Sequence, residues 1–319
     1  MHALSGPDGA PLATRVAADL FTNLTSIVRG KPAQIRLAIA VLLAGGHLLI
    51  EDIPGVGKTV LAKSLARSVG GTFRRIQGTP DLLPADLTGV SIYKRSTETW
   101  QFRPGPLFAN VVLVDEINRA TPRTQAALLE AMAERQVSVD GATYRLPEPF
   151  FLIATQNPFE HAGTFPLVEG QLDRFSAVLE LGLPGRDAER EIMLGYGGAA
   201  HLDEVEPVVT AEVLSEAARQ VADLHCDAAV ADYVLDLTEA SRHHPEVTLG
   251  ASPRASLGLL AVARAAAAVR GARYVSPDDV KNVAAAVLAH RLVLSGGTDL
   301  RASRSIVEDI VRTVAVPRT

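Results

Sequence analysis

The stretch His47-Leu-Leu-Ile-Glu-Asp-Ile-Pro-Gly-Val-Gly-Lys-Thr59 runs from an apolar, β-like segment into a glycine-bearing loop, and a helical pattern from Val60 to Val69 follows. A strand that feeds a helix through such a loop aims backbone N–H groups and the positive helix N-terminus at one point, which is the setting a phosphate requires. The spacing assigns Pro54, Gly55, Val56, Gly57 and Val60 to the cradle, Lys58 to the β and γ phosphates, and the Thr59 hydroxyl to Mg²⁺. Asp52 stands where the usual pattern opens with glycine. It is a residue type that tolerates left-handed backbone better than most, and that tolerance is the expected reason for its presence.

Two further apolar runs end in polar residues. Val111-Val-Leu-Val-Asp-Glu116 reads as a buried strand closing on two acids. Burying two carboxylates there is costly unless a cation or a reacting water uses them. Asp115 suits the Mg²⁺ shell, and Glu116 suits the base that orients and polarises an attacking water. Phe151-Leu-Ile-Ala-Thr155 leads into Gln156-Asn157-Pro158, placing an amide just past the carboxyl edge, where nucleotides bind in open parallel sheets. Asn157 is the candidate γ-phosphate and water sensor; a plain turn-forming Asn before Pro is the alternative.

Outward from these motifs, β-like runs recur at Phe73 to Gln77, Phe150 to Thr155 and Ala177 to Leu181, with helical segments between several of them. Such alternation predicts an α/β domain whose parallel sheet is flanked by helices. Residues 1–12 read as a loose tail, helices are expected at Thr14 to Val28 and Pro32 to Ala44, and the α/β domain is expected over 13–185. Beyond Pro184-Gly185 the pattern is helical only, including Ala228 to His243, Pro253 to Arg270, Pro277 to Leu294 and Ala302 to Val314, so 186–319 is expected to be a smaller all-α domain. Ser252-Pro253 and Ser276-Pro277 mark two helix starts, with serine as cap and proline in the first turn.

The bulk numbers agree with a two-domain globular chain: 319 residues, 47% hydrophobic. Lys and Arg total 31 against 36 Asp and Glu, a net charge of −5, which offers no overall counterion-releasing surface for nucleic acid. The one cysteine, Cys226, cannot close an intrachain disulfide and reads as a small core residue. The apolar run Leu37 to Ile50 is too short to span a bilayer and is interrupted by Gly45, Gly46 and His47. With no signal peptide recognised, a cytoplasmic location is expected. Trp100 reads as packing, and His243-His244 as surface residues at a helix end.

Several passages in order resemble the MoxR family of AAA+ ATPases. They are Leu49 to Thr59, Gln77-Gly-Thr-Pro-Asp-Leu-Leu-Pro84, Asp115-Glu-Ile-Asn-Arg-Ala120, Ala127-Leu-Leu-Glu-Ala-Met132 and Ala154-Thr-Gln-Asn-Pro158. The resemblance implies an AAA+ core followed by a helical lid, with ATP and Mg²⁺ bound. It also implies a ring homo-oligomer, commonly a hexamer, in which one subunit completes the next subunit's site. Arg174 in Gln171-Leu-Asp-Arg-Phe175 is the candidate trans finger, with Arg119 and Arg123 as rivals, and Arg254 matches the family's second sensor. Strand-like Val90 to Lys94 and Trp100 to Phe102 resemble an insert at about 88–106, and a hairpin turning at Asp140-Gly141 is expected over 136–146. Pore contact and structural decoration both stay open for these inserts. The implied activity is ATP-driven, chaperone-like remodelling or maturation of a protein client, often through a separate partner carrying a von Willebrand factor A domain. No nucleic-acid partner is expected. A metal-chelatase motor subunit and a nucleotide-switched scaffold with negligible turnover are the alternatives.

Overall fold

A computed structural model describes residues 10–158, 163–297 and 299–317; most of the expected tail lies outside them. The chain begins with two helices, Leu12–Ile27 (α1) and Pro32–Leu43 (α2). α1 buries Ala13, Val16, Ala17, Leu20, Leu24 and Ile27, a spacing of three and four that makes one apolar stripe. α2 buries seven of its twelve residues, including all six from Ala38 to Leu43, so it lies inside the molecule rather than on it.

Leu48–Glu51 (β1), Lys58–Ser68 (α3), Phe73–Gln77 (β2) and the short helix Pro84–Thr88 (α4) follow. Gly89–Lys94 (β3) and Thr99–Pro104 (β4) form a hairpin, and Val111–Asp115 (β5) and Pro122–Glu134 (α5) come next. A second hairpin, Gln136–Val139 (β6) with Ala142–Arg145 (β7), precedes Phe151–Gln156 (β8), Glu169–Leu172 (α6) and Ala177–Leu179 (β9). Five of these strands make one parallel sheet in the order β2-β5-β8-β1-β9. All five residues of β5 are buried, and in β8 only the terminal Gln156 is not, because helices cover both sheet faces. Alternate residues serve the two faces: Leu48 and Ile50 join the cluster with α1, α2 and α3, whereas Leu49 joins the one with Leu128, Leu129 and Met132 of α5.

The C-terminal part contains Arg186–Met193 (α7), Ala211–Ala222 (α8), Ala228–His243 (α9), Val247–Leu249 (β10), Pro253–Val269 (α10), Pro277–Leu288 (α11), Val293–Leu294 (β11) and Leu300–Thr313 (α12). Both serine caps form, Ser252 Oγ accepting from Ala255 N at 3.2 Å and Ser276 Oγ from Asp279 N at 3.4 Å. One expectation fails here: the helix expected to reach Leu294 stops at Leu288. A single 3₁₀ turn, Ala289–Arg291, follows, and then a strand that pairs antiparallel with β10. The turn directs His290 and Arg291 onto the carbonyl of Phe175, and a long-range attachment of that kind leaves no periodic mark in sequence. One apolar cluster continues from the sheet through α2 into α10 and α11, so the expected boundary near residue 185 separates patterns of secondary structure and not two separate cores.

The inserts fold as hairpins. Asp140 (φ 52°) and Gly141 (φ 79°) supply the two left-handed residues of a two-residue turn. The hairpins meet through Phe102 and Tyr144, stacked with centroids 3.9 Å apart. Trp100 is not a packing residue: it is 72% exposed and touches the Tyr93 ring beside it on the neighbouring strand. Cys226 is half-buried against the core, and no helix among the described residues is long and apolar enough to cross a membrane.

His47, which precedes β1, is buried with Nε2 3.2 Å from Met132 O and Nδ1 accepting from Leu152 N at 3.1 Å. A ring that accepts at one nitrogen and donates at the other is neutral. Burial pushes its pKa down to about 4, and burial beside Arg291 pushes that of His290 down to about 3. Both folded values lie below the ordinary histidine value of about 6.5, so as pH falls below that point the unfolded chain takes up protons that the folded chain refuses. Stability contributed by these neutral rings is therefore complete above about pH 6.5 and is lost towards pH 4. Urea unfolding between about pH 7.5 and pH 5 should show a loss of about 1.4 kcal/mol per pH unit for each ring below pH 6.5. His47→Gln should be less stable at pH 7 yet lose one proton's worth of that slope; an unchanged slope refutes the assignment.

Candidate functional site

The loop from β1 to α3 is shaped by two left-handed glycines, Gly55 (φ 87°) and Gly57 (φ 97°), the latter capping α3. A Cβ on either would meet nothing within 4 Å, so backbone handedness and not crowding calls for glycine. Pro54 is exposed on the loop, Val56 is anchored in the apolar cluster, and Thr59 and Val60 lie in the first turn of the 11-residue α3. Lys58 Nζ donates to Asp52 O at 2.9 Å, holding the ammonium across the loop. Burial lowers the pKa of Lys58, and the charges of Asp52, Asp115 and Glu116 oppose the shift, which puts the lysine within the field of both acids.

Asp52 does not serve as a left-handed residue, because its φ is not positive. Its carboxylate is a tie instead: Oδ1 accepts from Ile53 N at 2.8 Å and Oδ2 from Gly182 N at 2.6 Å. Lys31 Nζ, at the start of α2, donates to Leu183 O at 2.6 Å. The loop, the exit from β9 and the N-terminus of α2 are thereby joined, and glycine at position 52 would leave the Gly182 amide without this acceptor.

The acids sit on the next strand but one. Asp115, 7% exposed, accepts from Arg75 Nε at 2.6 Å through Oδ2 and from Thr155 Oγ1 at 3.3 Å through Oδ1. Glu116 adopts left-handed backbone (φ 54°, ψ 52°), which for a residue with a Cβ costs on the order of 1 kcal/mol and persists only where the surroundings impose it. They do so here: Glu116 N donates to Thr155 Oγ1 at 3.0 Å, Gln77 Nε2 to Glu116 Oε2 at 3.2 Å, and Arg119 Nε pairs with the same oxygen at 2.9 Å. Gly78 completes the constraint, since a Cβ there would lie 2.1 Å from Glu116 O. Arg75, Gln77, Gly78 and Thr155 were not singled out for these contacts from sequence, although Gln77-Gly78 opens one of the passages that carry the resemblance.

Asn157 follows β8 and, with Glu51, Asn118 and Gln156, lines a cavity of about 290 Å³ whose other wall includes Asp299 and Ser303 of the C-terminal part. Arg254 is exposed in the first turn of α10 and Arg123 in the first turn of α5. Arg174 turns to its own chain, Nη1 donating to Leu129 O at 2.7 Å. Asp173 pairs with Arg291 and not with its neighbour Arg174. The structure thus brings the charges of Lys58, Asp115 and Glu116 together, holds Arg174 against Leu129 of α5, and sets Arg254 in the field of Arg291.

Among the described residues no group of three or more His, Cys, Asp or Glu could hold a metal by itself. The oxygen donors of Thr59 and Asp115 beside the phosphate cradle fit Mg²⁺, which takes few protein ligands and shares the rest with phosphate and water. Gly78→Ala tests the constraint on Glu116: nucleotide affinity by calorimetry should stay within about threefold, while turnover falls by on the order of 10²-fold as the acid is displaced. Equal losses of affinity and turnover would contradict it.

The chain matches the model of the ATPase family associated with various cellular activities over residues 47–177 and that of the AAA lid domain over 239–313. It is 43% identical to the uncharacterized protein YeaC of Bacillus subtilis, covering 92% of this chain and 93% of that one. It is 41% identical to chaperone MoxR1 of Mycobacterium tuberculosis (92% and 80% covered) and 32% identical to protein MoxR of Paracoccus denitrificans (94% and 96%). A crystal structure of a Cytophaga hutchinsonii protein superposes with a TM-score of 0.86 at 33% identity, covering 96% of each chain. With the parallel sheet, the glycine loop and the helical lid in the order described, the chain belongs to the MoxR family of AAA+ ATPases.

Proposed function

We propose that this chain hydrolyses Mg²⁺-ATP at the loop of residues 52–60 and uses the cycle to remodel a partner protein. The observation that carries the hydrolytic part is Glu116, held in an unfavourable left-handed conformation by Thr155, Gln77 and Gly78 within the field of Lys58. Strain kept in place by several contacts is a mark of a working residue.

Residues 54–60 would surround the phosphates, with Lys58 on the β and γ groups and Thr59 and Asp115 holding Mg²⁺. A Mg²⁺ ion held by these two residues would supply charge neutralisation at the phosphate oxygens. Glu116 orients a water whose oxygen attacks the γ phosphorus as the bond to the β-phosphate oxygen breaks, and the water's proton passes to the Glu116 carboxylate. Gln77 and Arg119 engage that carboxylate in this structure, so freeing it is part of becoming active. Asn157 senses the γ phosphate, Arg254 reports it to the lid, and Arg174 completes the neighbouring subunit's site in a ring, which we take to be a hexamer. Arg119 is the weaker finger candidate because its guanidinium is ion-paired with the Glu116 carboxylate of its own chain, whereas Arg174 donates to a neutral carbonyl, that of Leu129.

The client is a protein, reached directly or through a separate von Willebrand factor A domain partner. Support comes from the relative named a chaperone, the −5 net charge and the exposed Ile92, Tyr93 and Trp100 on the first hairpin. The ring acts in the cytoplasm, where Cys226 stays a thiol.

Glu116→Gln should bind ATP as wild type does and lose 10²- to 10⁴-fold in turnover, because the amide keeps the shape without the basic oxygen. Steady-state hydrolysis near the wild-type rate would sink the assignment. Lys58→Ala should lose ATP affinity itself, as calorimetry would show. Captured from its native lysate after nuclease treatment, the Glu116→Gln ring should retain protein clients that the Lys58→Ala chain does not, since ATP-bound rings hold partners released on hydrolysis. Recovery dominated by nucleic acid, or no difference between the two, would overturn remodelling of a protein.

A further inference from the structure

Arg291 is a buried cation outside the site just described. It lies in the 3₁₀ turn after α11 and is 7% exposed. Its Nε pairs with Asp173 Oδ1 at 2.9 Å, Nη2 donates to Phe175 O at 2.9 Å and, more weakly, to Asp173 O at 3.4 Å, and Nη1 donates to Val287 O at 3.0 Å. His290 adds Nε2 to the same Phe175 carbonyl at 3.0 Å. Both residues flanking Arg174 are therefore held by the lid.

The same guanidinium meets the sensor helix. Asp173 accepts from Ser252 Oγ at 3.3 Å, and Ser252 caps α10 two residues before Arg254. Gly258 lies one turn past Arg254 on the same face of α10, and a Cβ there would come within 3.2 Å of Nη1 and 3.3 Å of Nη2 of Arg291. The guanidinium occupies the room that a larger side chain at 258 would need. Burial lowers the pKa of Arg291 to about 10, with Asp173 opposing and the nearby charge of Arg254 adding to the shift. A buried ion pair seldom stabilises more than apolar side chains of the same volume, so stability alone is a poor account of a cation here. Fixing one geometry between two elements is a better one.

We propose that Arg291, seated against Gly258 and paired with Asp173, is a positioning residue that transmits the orientation of the lid helix α10 to Arg174, the group offered to the neighbouring subunit. The proposal rests on the trans role given to Arg174 above. When Arg254 engages phosphate and α10 turns, Ser252 and Gly258 move with it, and the Asp173–Arg291 pair carries that movement to the segment between Asp173 and Phe175. ATP occupancy in one subunit thereby sets how well the next subunit's site is completed.

The test uses mixed rings with subunit exchange demonstrated. Glu116→Gln subunits cannot hydrolyse but present Arg174, and Arg174→Ala subunits can hydrolyse only beside such a neighbour. Adding Arg291→Met to the Glu116→Gln subunit should lower the mixture's kcat by about 10-fold or more, with KM and ring assembly unchanged, as expected for a displaced catalytic group. The altered subunit is already silent, so the loss is read at its neighbour's site, which a purely local structural role would not touch. Arg291→Lys should restore part of the activity. Asp173→Asn, which keeps the shape and removes the charge, should give the same trans loss and decides the matter if Arg291→Met does not assemble. Undiminished kcat in assembled mixtures of either variant overturns the relay with the finger intact. An inactive parent mixture of Glu116→Gln and Arg174→Ala overturns the trans role, and the relay with it.

Discussion

The parallel register of four strands is the constraint on which the site depends. Gln77 pairs with Asp115, Val114 with Ala154, and Ile50 with Thr155, so Gln77, Asp115, Thr155 and Ile50 form one row across the sheet and Gly78, Glu116, Gln156 and Glu51 the next. β5 and β8 are covered on both faces, so their polar side chains are confined to the edge where the strands end. The Thr155 hydroxyl then does two things at once, donating to Asp115 and accepting from Glu116 N. A slip of one residue in either pairing would send Asp115 to the opposite face and leave a buried carboxylate without its partners.

Two carboxylates connect that edge to the helical layer. Asp52 takes the Gly182 amide, and Asp173 takes Arg291 and Ser252. Further from the edge the layers share one apolar cluster through α2, α10 and α11. Apolar packing is non-directional and holds the layers together, whereas the polar ties are few, directional and able to exchange a protein partner for phosphate.

The hairpins follow a different logic. Stacking of Phe102 on Tyr144 and the Phe102–Phe108 contact fix them to each other and to the core. The outer residues Ile92, Tyr93 and Trp100 gain nothing from that core, being 44%, 45% and 72% exposed. Apolar side chains presented on a braced two-stranded support are suited to transient contact with another chain.

What sequence determined by itself was whatever is encoded locally. Val111–Asp115 was legible to the residue because a buried parallel strand is a short continuous apolar run with a polar stop, and the two serine caps because a cap bonds within three residues. The loop of residues 54–60 was legible because left-handed backbone selects glycine wherever the loop folds. Tertiary structure alone decided the partners. Asp52 looked like a tolerated substitute for glycine until Gly182, 130 residues away, was brought to its carboxylate, and the helix starting at Pro277 looked continuous to Leu294 until Phe175 claimed His290 and Arg291. Trp100 had the composition of a core residue and the position of a hairpin's outer face. In each case the deciding energy is a contact between segments far apart in the chain, and such a contact imposes no period, cap or turn residue on either segment alone.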